Sequence, residues 1–184
     1  MKLLLGLGNP GDQYAKTRHN AGFFALDALA DAVDAGGSWS KKKDMHAEVR
    51  TIRVGNETVI LAKPQTFMNA SGESARQLIS FYKLDGDDVL IVHDDMDIEI
   101  GKMRFTAGGS AAGHNGVQDI YDQLGVSTLP RLRLGIGRPP EPMTGEAWVL
   151  AQLSSSDLPP KGDIVEALKD WIAGGVEEAA NKWN

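Results

Sequence analysis

The chain has 184 residues, long enough for one domain with a substantial buried core. Its 42% hydrophobic and 24% charged content is that of an ordinary globular protein, and no run nears the roughly 18 apolar residues that would span a membrane. The absence of cysteine excludes disulfides, thiolate metal sites and a thiol nucleophile and points to a reducing, cytoplasmic setting, while a net charge of −6 confines any nucleic-acid contact to a local basic face.

Met1-Lys2-Leu3-Leu4-Leu5 is cut off by Gly6, too early for a signal-peptide core, so residues 2–7 read as a first buried strand. From Asn20 the apolar residues Phe23, Leu26, Ala30 and Val33 recur at helical spacing as far as Gly36-Gly37. Residues 38–46, with Lys41, Lys42 and Lys43, read as an exposed basic connection. The β-rich runs 47–54 and 58–63 meet at Gly55-Asn56, a two-residue hairpin signal. After Pro64 a loop leads to Ser71, which is suited to cap a helix bearing Ala75, Leu78, Ile79 and Tyr82.

Residues 89–92 form a continuous apolar run, the mark of a strand covered on both faces, and lead straight into His93-Asp94-Asp95. Residues 98–105 read as a further strand, 107–113 as a Gly-rich loop and 115–124 as a short helix. Residues 131–137 alternate basic and apolar, as a half-exposed strand would, and 139–145 are irregular. Ile164, Val165, Leu168, Trp171 and Ile172 mark a C-terminal amphipathic helix interrupted at Gly174-Gly175. Strands alternating with helices predict an α/β fold with a mixed sheet, in a single domain over 1–184. Ligands gather at the carboxyl ends of central strands in such sheets. Asn9 and Asp94 both follow strands there.

Gly6-x-Gly8-x-x-Gly11 satisfies the dinucleotide fingerprint, which needs a helix opening at its third glycine. The helical period starts about two turns too late, so the segment reads as a tight turn. His93-Asp94-Asp95-Met96-Asp97 fails as an EF-hand loop: Gly101 is one place late and Thr106 occupies the bidentate Glu position. A divalent site remains a minority alternative beside acids that cap a turn, or one carboxylate orienting a histidine. Residues 107–113 lack the ending of a P-loop, and no Gly-x-Ser-x-Gly elbow is present. His114-Asn115-Gly116 is a helix start, with Asn115 the simple N-cap. What remains is His19 near a helix start, one carboxylate and three loop asparagines. The positive end of a helix favours the neutral imidazole a general base needs, and a nearby carboxylate opposes that shift.

In this order the residues resemble the bacterial peptidyl-tRNA hydrolase family. The matching segments are Gly6-Leu7-Gly8-Asn9-Pro10-Gly11 with Tyr14, Thr17-Arg18-His19-Asn20-Ala21-Gly22, Pro64-Gln65-Thr66-Phe67-Met68-Asn69, Val92-His93-Asp94-Asp95-Met96-Asp97, Gly113-His114-Asn115-Gly116 and Arg131-Leu132-Arg133-Leu134-Gly135-Ile136-Gly137. The resemblance implies a twisted mixed sheet surrounded by helices, acting as a monomer on peptidyl-tRNA in ribosome rescue, with neither metal nor cofactor. It implies hydrolysis of the ester between peptide and 3′ ribose, with His19 as base and Asp94 as its partner. Asn9, Asn69 and Asn115 match the substrate-positioning amides, and Tyr14, Phe67, Met68 and His114 join them as substrate-binding candidates.

Three departures from the family pattern stand out. Asp95 replaces a common Glu, Thr106 stands where a basic phosphate-contacting residue is common, and the basic extension some members carry is missing. Lys102, Arg104, Arg131 and Arg133 remain as phosphate candidates, although alternating arginines are more often solvent-face residues. The competing readings are an RNA-binding relative without catalysis and a dinucleotide-dependent oxidoreductase. The His19, Asp94 and asparagine set argues against the first.

Overall fold

A computed structural model describes residues 1–154 and 156–184. Seven strands, β1 (Lys2–Gly6), β2 (Ser40–Lys42), β3 (Ala47–Val54), β4 (Glu57–Pro64), β5 (Val89–Asp95), β6 (Met103–Thr106) and β7 (Arg131–Gly135), form one sheet in the order β2-β3-β4-β1-β5-β7-β6. The helices are α1 (Ala21–Val33), α2 (Ser71–Tyr82), α3 (Asn115–Leu124), α4 (Gly145–Val149) and α5 (Lys161–Trp183). Strand β1 pairs parallel with β4 and β5, and β5 pairs parallel with β7. The hairpin β3–β4 and the pair β6–β7 are antiparallel, which makes the sheet mixed as expected.

Strand alternation divides the core in two. Leu4, Leu90, Val92, Leu132 and Leu134 face α1 and α5, where Leu26, Leu29, Leu168 and Trp171 are fully buried. Leu3, Leu5, Val89 and Ile91 face α2 and α3, packing with Ala75, Leu78, Val117 and Ile120. Both faces of β1 and β5 are therefore covered, which is why these strands read as unbroken apolar runs. Among the described residues no helix is long and apolar enough to cross a membrane.

The hairpin register closes Val54 on Glu57, as the Gly55-Asn56 signal requires. Gly175, at φ 79° and ψ −172°, breaks α5 where the glycine pair predicts an interruption. Other expectations are corrected. Residues 38–46 include the edge strand β2 and a 3₁₀ turn, because Ser40, Lys41 and Lys42 add to β3. The strand expected over 98–105 shrinks to β6, since the preceding residues fold across β7. There Gly137 N–H donates to Ile98 O at 3.0 Å and Gly135 N–H to Lys102 O at 2.8 Å.

Ser71 does not cap α2 either. It lies in the first turn and donates to Met68 O at 2.8 Å, while the Asp119 carboxylate of α3 accepts Gly72 N–H at 2.7 Å. Nor is β7 half-exposed: four of its five residues are buried, with Arg131 3% exposed and its guanidinium on the Gly108 carbonyl of the Gly-rich loop.

Candidate active site

The parallel pairing of β1 and β5 brings their carboxyl ends together, with Gly6 beside Val92 and Leu7 N–H donating to Val92 O at 2.9 Å. The chain leaving β1 carries Asn9, and β5 ends in Asp94 and Asp95. His19 arrives in a 3₁₀ turn (Arg18–Asn20) directly before α1. That turn can sit on the strand ends because of Gly22. A Cβ there would collide with Val92 O and with the backbone of Leu7, so only glycine lets α1 begin this close to the sheet.

Asp94, 2% exposed, is the hub. His19 Nδ1 is 3.0 Å from each of its carboxylate oxygens, across 75 residues of sequence. His114 Nε2 is 3.0 Å from Oδ1 of the same group. The hydrogen-bond network assigns both tautomers. His114 Nδ1 accepts the Val117 N–H at 3.3 Å, so its proton sits on Nε2 and is donated to Asp94. His114 is thereby the N-cap of α3, the role the sequence suggested for Asn115. His19 donates Nδ1–H to Asp94, which leaves its Nε2 as an acceptor.

Burial opposes the charge on Asp94, but the two histidines outweigh that cost and hold its carboxyl well below the usual range. His93 contrasts with it. Fully buried, it donates Nδ1–H to Asp94 O at 2.7 Å and meets the His114 ring edge-on at 4.7 Å between centroids. Burial, with His114 adding to it, pushes its pKa well down, so it stays neutral.

The acids Asp95 and Asp97, at and beyond the end of β5, do not converge on one ligand. Asp95 takes Arg133 Nε at 2.8 Å, and Asp97 takes Arg138 at 2.7 Å on the surface. The one group among the described residues that brings several metal-capable donors together is His19, Asp94 and His114, within 4.8 Å of one another. Two imidazoles and a carboxylate are a reasonable set for a transition metal. Here the same atoms are engaged with each other in hydrogen bonds.

These groups line a cleft of about 820 Å³ together with Asn9, Phe67, Met68, Asn69, Asn115, Val149 and Leu150. Asn9 is tied at three atoms: its N–H and C=O bond the Asn20 side chain at 2.8 and 2.9 Å, and its Oδ1 accepts Met68 N–H at 2.7 Å. Its amide nitrogen is thus oriented and free to donate. Asn69 and Asn115 are exposed at the cleft wall. Tyr14 does not line the cleft and reaches it only through an edge contact with Phe67, at 6.3 Å between centroids.

The four phosphate candidates separate. Lys102 and Arg104 are exposed, on and just before edge strand β6. Arg133 is committed to Asp95. Arg131 is withdrawn from solvent, its one hydrogen bond running from Nη2 to Gly108 O at 3.3 Å, and burial lowers its pKa. Thr106, in place of a basic residue, donates its hydroxyl to the same Gly108 carbonyl at 2.5 Å and so anchors the Gly-rich loop. Sequence reasoning missed the His114–Asp94 bond, the Asn20 tie and the α4 wall. Asn20 lies within the Thr17-Arg18-His19-Asn20-Ala21-Gly22 segment, whereas α4 leaves no periodic signal.

The peptidyl-tRNA hydrolase family profile matches residues 3–184. Peptidyl-tRNA hydrolase of Desulforamulus reducens is 44% identical over 189 aligned positions, covering 100% of this chain and 89% of that protein. The Mycolicibacterium gilvum peptidyl-tRNA hydrolase is 43% identical, covering 97% and 94%. Among solved structures, peptidyl-tRNA hydrolase from Acinetobacter baumannii superposes with a TM-score of 0.84 at 33% identity, covering 100% of this chain and 94% of that one. A peptidyl-tRNA hydrolase complexed with N-propanol gives 0.87 at 33% identity with the same coverage.

Proposed function

The chain belongs to the peptidyl-tRNA hydrolase family and is a hydrolase, and from that premise we propose that it cleaves the ester between a peptide and the 3′ ribose of tRNA by base catalysis at His19. The observation that carries this reading is the placement of His19 Nδ1 at 3.0 Å from both oxygens of a buried, ionised Asp94, beside an open cleft.

Asp94 accepts Nδ1–H and so fixes the tautomer of the neutral ring in which Nε2 is the acceptor. Nε2 takes a proton from water as its oxygen bonds to the ester carbonyl carbon, and the carbonyl electrons move onto oxygen. The Asn9 amide, held by Asn20 and Met68, donates to that oxyanion, with Asn69 and Asn115 along the cleft holding the peptide backbone. These amides donate and accept without adding charge. When the tetrahedral adduct collapses, the ribose oxygen leaves with the proton from Nε2, and the peptide acid gives the remaining proton of the water to solvent and is released as its carboxylate. Asp94 stabilises the imidazolium that forms in between. His114 Nε2–H holds Oδ1 of the same carboxylate, making it a positioning residue. The chemistry takes its nucleophile from a base and needs no metal. Lys102 and Arg104 are the exposed cations left to meet tRNA phosphates.

A general base contributes about 10²–10⁴ in rate. Single-turnover deacylation of an N-blocked aminoacyl-tRNA by His19→Ala should slow by that factor, while tRNA binding persists. Near-normal turnover would remove His19 from the mechanism. No product from the wild-type chain at stoichiometric enzyme would favour an RNA-binding module instead.

A further inference from the structure

Directly before His19 lies a charged side chain that the chemistry above does not use. Arg18 is 9% exposed, and its Nη2 meets Asp157 Oδ2 at 2.9 Å. The guanidinium also lies flat enough on Trp148 to bring its carbon within 3.6 Å of the ring. Trp148 is itself pinned, donating Nε1–H to Gly137 O at 2.9 Å and to Ile136 O at 3.1 Å beyond β7. The backbones are joined as well. Arg18 N–H donates to Ala151 O at 3.0 Å, Leu153 N–H donates to Lys16 O at 2.7 Å, and Thr17 bridges Gln152.

Trp148 belongs to α4, whose neighbouring residues Glu146, Val149 and Leu150 form one wall of the cleft. A buried ion pair is a poor device for stability, since apolar packing of similar volume usually does as well or better. Arg18 Nε, moreover, has no hydrogen-bond partner among the described residues. What the pair supplies is direction: a planar cation fixed on one face by a ring and at one edge by a carboxylate.

We propose that Arg18 is a positioning residue that locks the α4 wall of the cleft to the turn carrying His19, so that the wall contacted by the substrate and the base aimed at it hold one geometry. This rests on the hydrolase reading for its catalytic consequence only. Its structural content, the aim of the His19 ring, can be read without turnover.

The experiment compares Arg18→Lys, Trp148→Leu and Trp148→Phe, following the His19 imidazole resonances by nitrogen–proton correlation NMR, with exposed His46 as internal reference. Lysine keeps the charge but loses the planar stack, leucine removes the ring, and phenylalanine restores a face. The His19 resonances should shift in the first two variants, return toward wild type in Trp148→Phe, and His46 should stay fixed. In turnover of N-blocked aminoacyl-tRNA, misplacing the base should lower kcat about 10–100-fold in the two damaged variants. The double variant should be no worse than either single change, as for one shared clamp. Unmoved His19 resonances, with only a lower Tm, would overturn the proposal. A wild-type chain inert in the same assay would sink the hydrolase reading while leaving the NMR criterion standing.

Discussion

Residues 89–92 and 93–95 are consecutive stretches of β5, both buried, and they are held in place by different physics. Val89, Leu90, Ile91 and Val92 sit between the two apolar cores and are stabilised by what they exclude from water, about 1.5–3 kcal/mol for each fully buried aliphatic side chain. His93, Asp94 and Asp95 gain nothing from leaving water. Groups from other elements answer the two acids, His19 and His114 for Asp94 and Arg133 for Asp95, whereas His93 hydrogen-bonds only its own strand among the described residues, through Nδ1–H to Asp94 O. The first stretch builds the scaffold, and the second uses that rigidity to hold charge where solvent cannot relax it. The cost is dependence on distant partners, and each partner is a place to test the division.

The largest expected effect is at the polar end. Asp94→Asn should lower the single-turnover rate about 10³–10⁴-fold, because an amide no longer fixes the His19 tautomer or stabilises the imidazolium. The fold should survive, as circular dichroism would report. If turnover stayed within tenfold of wild type, the carboxylate would be part of the scaffold rather than the chemistry. Leu90→Ala at the apolar end should do the reverse. It should cost about 2–5 kcal/mol of stability in denaturant titration, with kcat of the folded enzyme little changed. A selective loss of kcat without loss of stability would erase the distinction between the two stretches.

A smaller effect concerns His93, whose pKa is depressed by burial. The unfolded chain takes up a proton at this group below about pH 6.5, whereas the folded chain does not. Its contribution is therefore fully present above that pH and is lost as pH falls toward the depressed folded value. Tm should decline through this window, and His93→Gln should decline less steeply. Equal slopes would assign the decline to other groups. The smallest effect is none. Dialysis against EDTA, followed by the deacylation assay, should leave the rate unchanged, whereas a loss restored by a divalent ion would turn the His19, Asp94 and His114 set into a metal site.

Much of the scaffold could be read locally. A hairpin at Gly55-Asn56 needs only two residues that tolerate the turn, and the break in α5 needs only Gly174-Gly175. Residues 89–92 announce a strand covered on both faces by having no polar side at all. What could not be read locally depends on a partner arriving from elsewhere. Arg131 and Arg133 alternate with leucines as surface residues do, yet the first is buried with Nη2 on the Gly108 carbonyl of the Gly-rich loop and the second meets Asp95 of β5. Ser71 has the chemistry of a cap, but Asp119 reaches the N–H of Gly72 from α3. Residues 145–149 carried no periodic signal, so the wall formed by α4 was invisible before the docking of its Trp148 on Arg18 was seen.

The sequence by itself determined the α/β class, the placing of Asn9 and Asp94 at the carboxyl ends of central strands, and the inventory of histidine, carboxylate and asparagines on which the proposed ester hydrolysis draws. These depend on periodicity, turn chemistry and side-chain inventory, all properties of short stretches. The tertiary structure alone decided that one carboxylate serves two histidines, that Asn20 orients Asn9, and that Arg18 joins the cleft wall to the base. Hydrogen bonds need their partners within about 3 Å, and His19 and Asp94 are 75 residues apart in the chain. Only the packing of β1 against β5, with glycine at position 22, brings them within that distance.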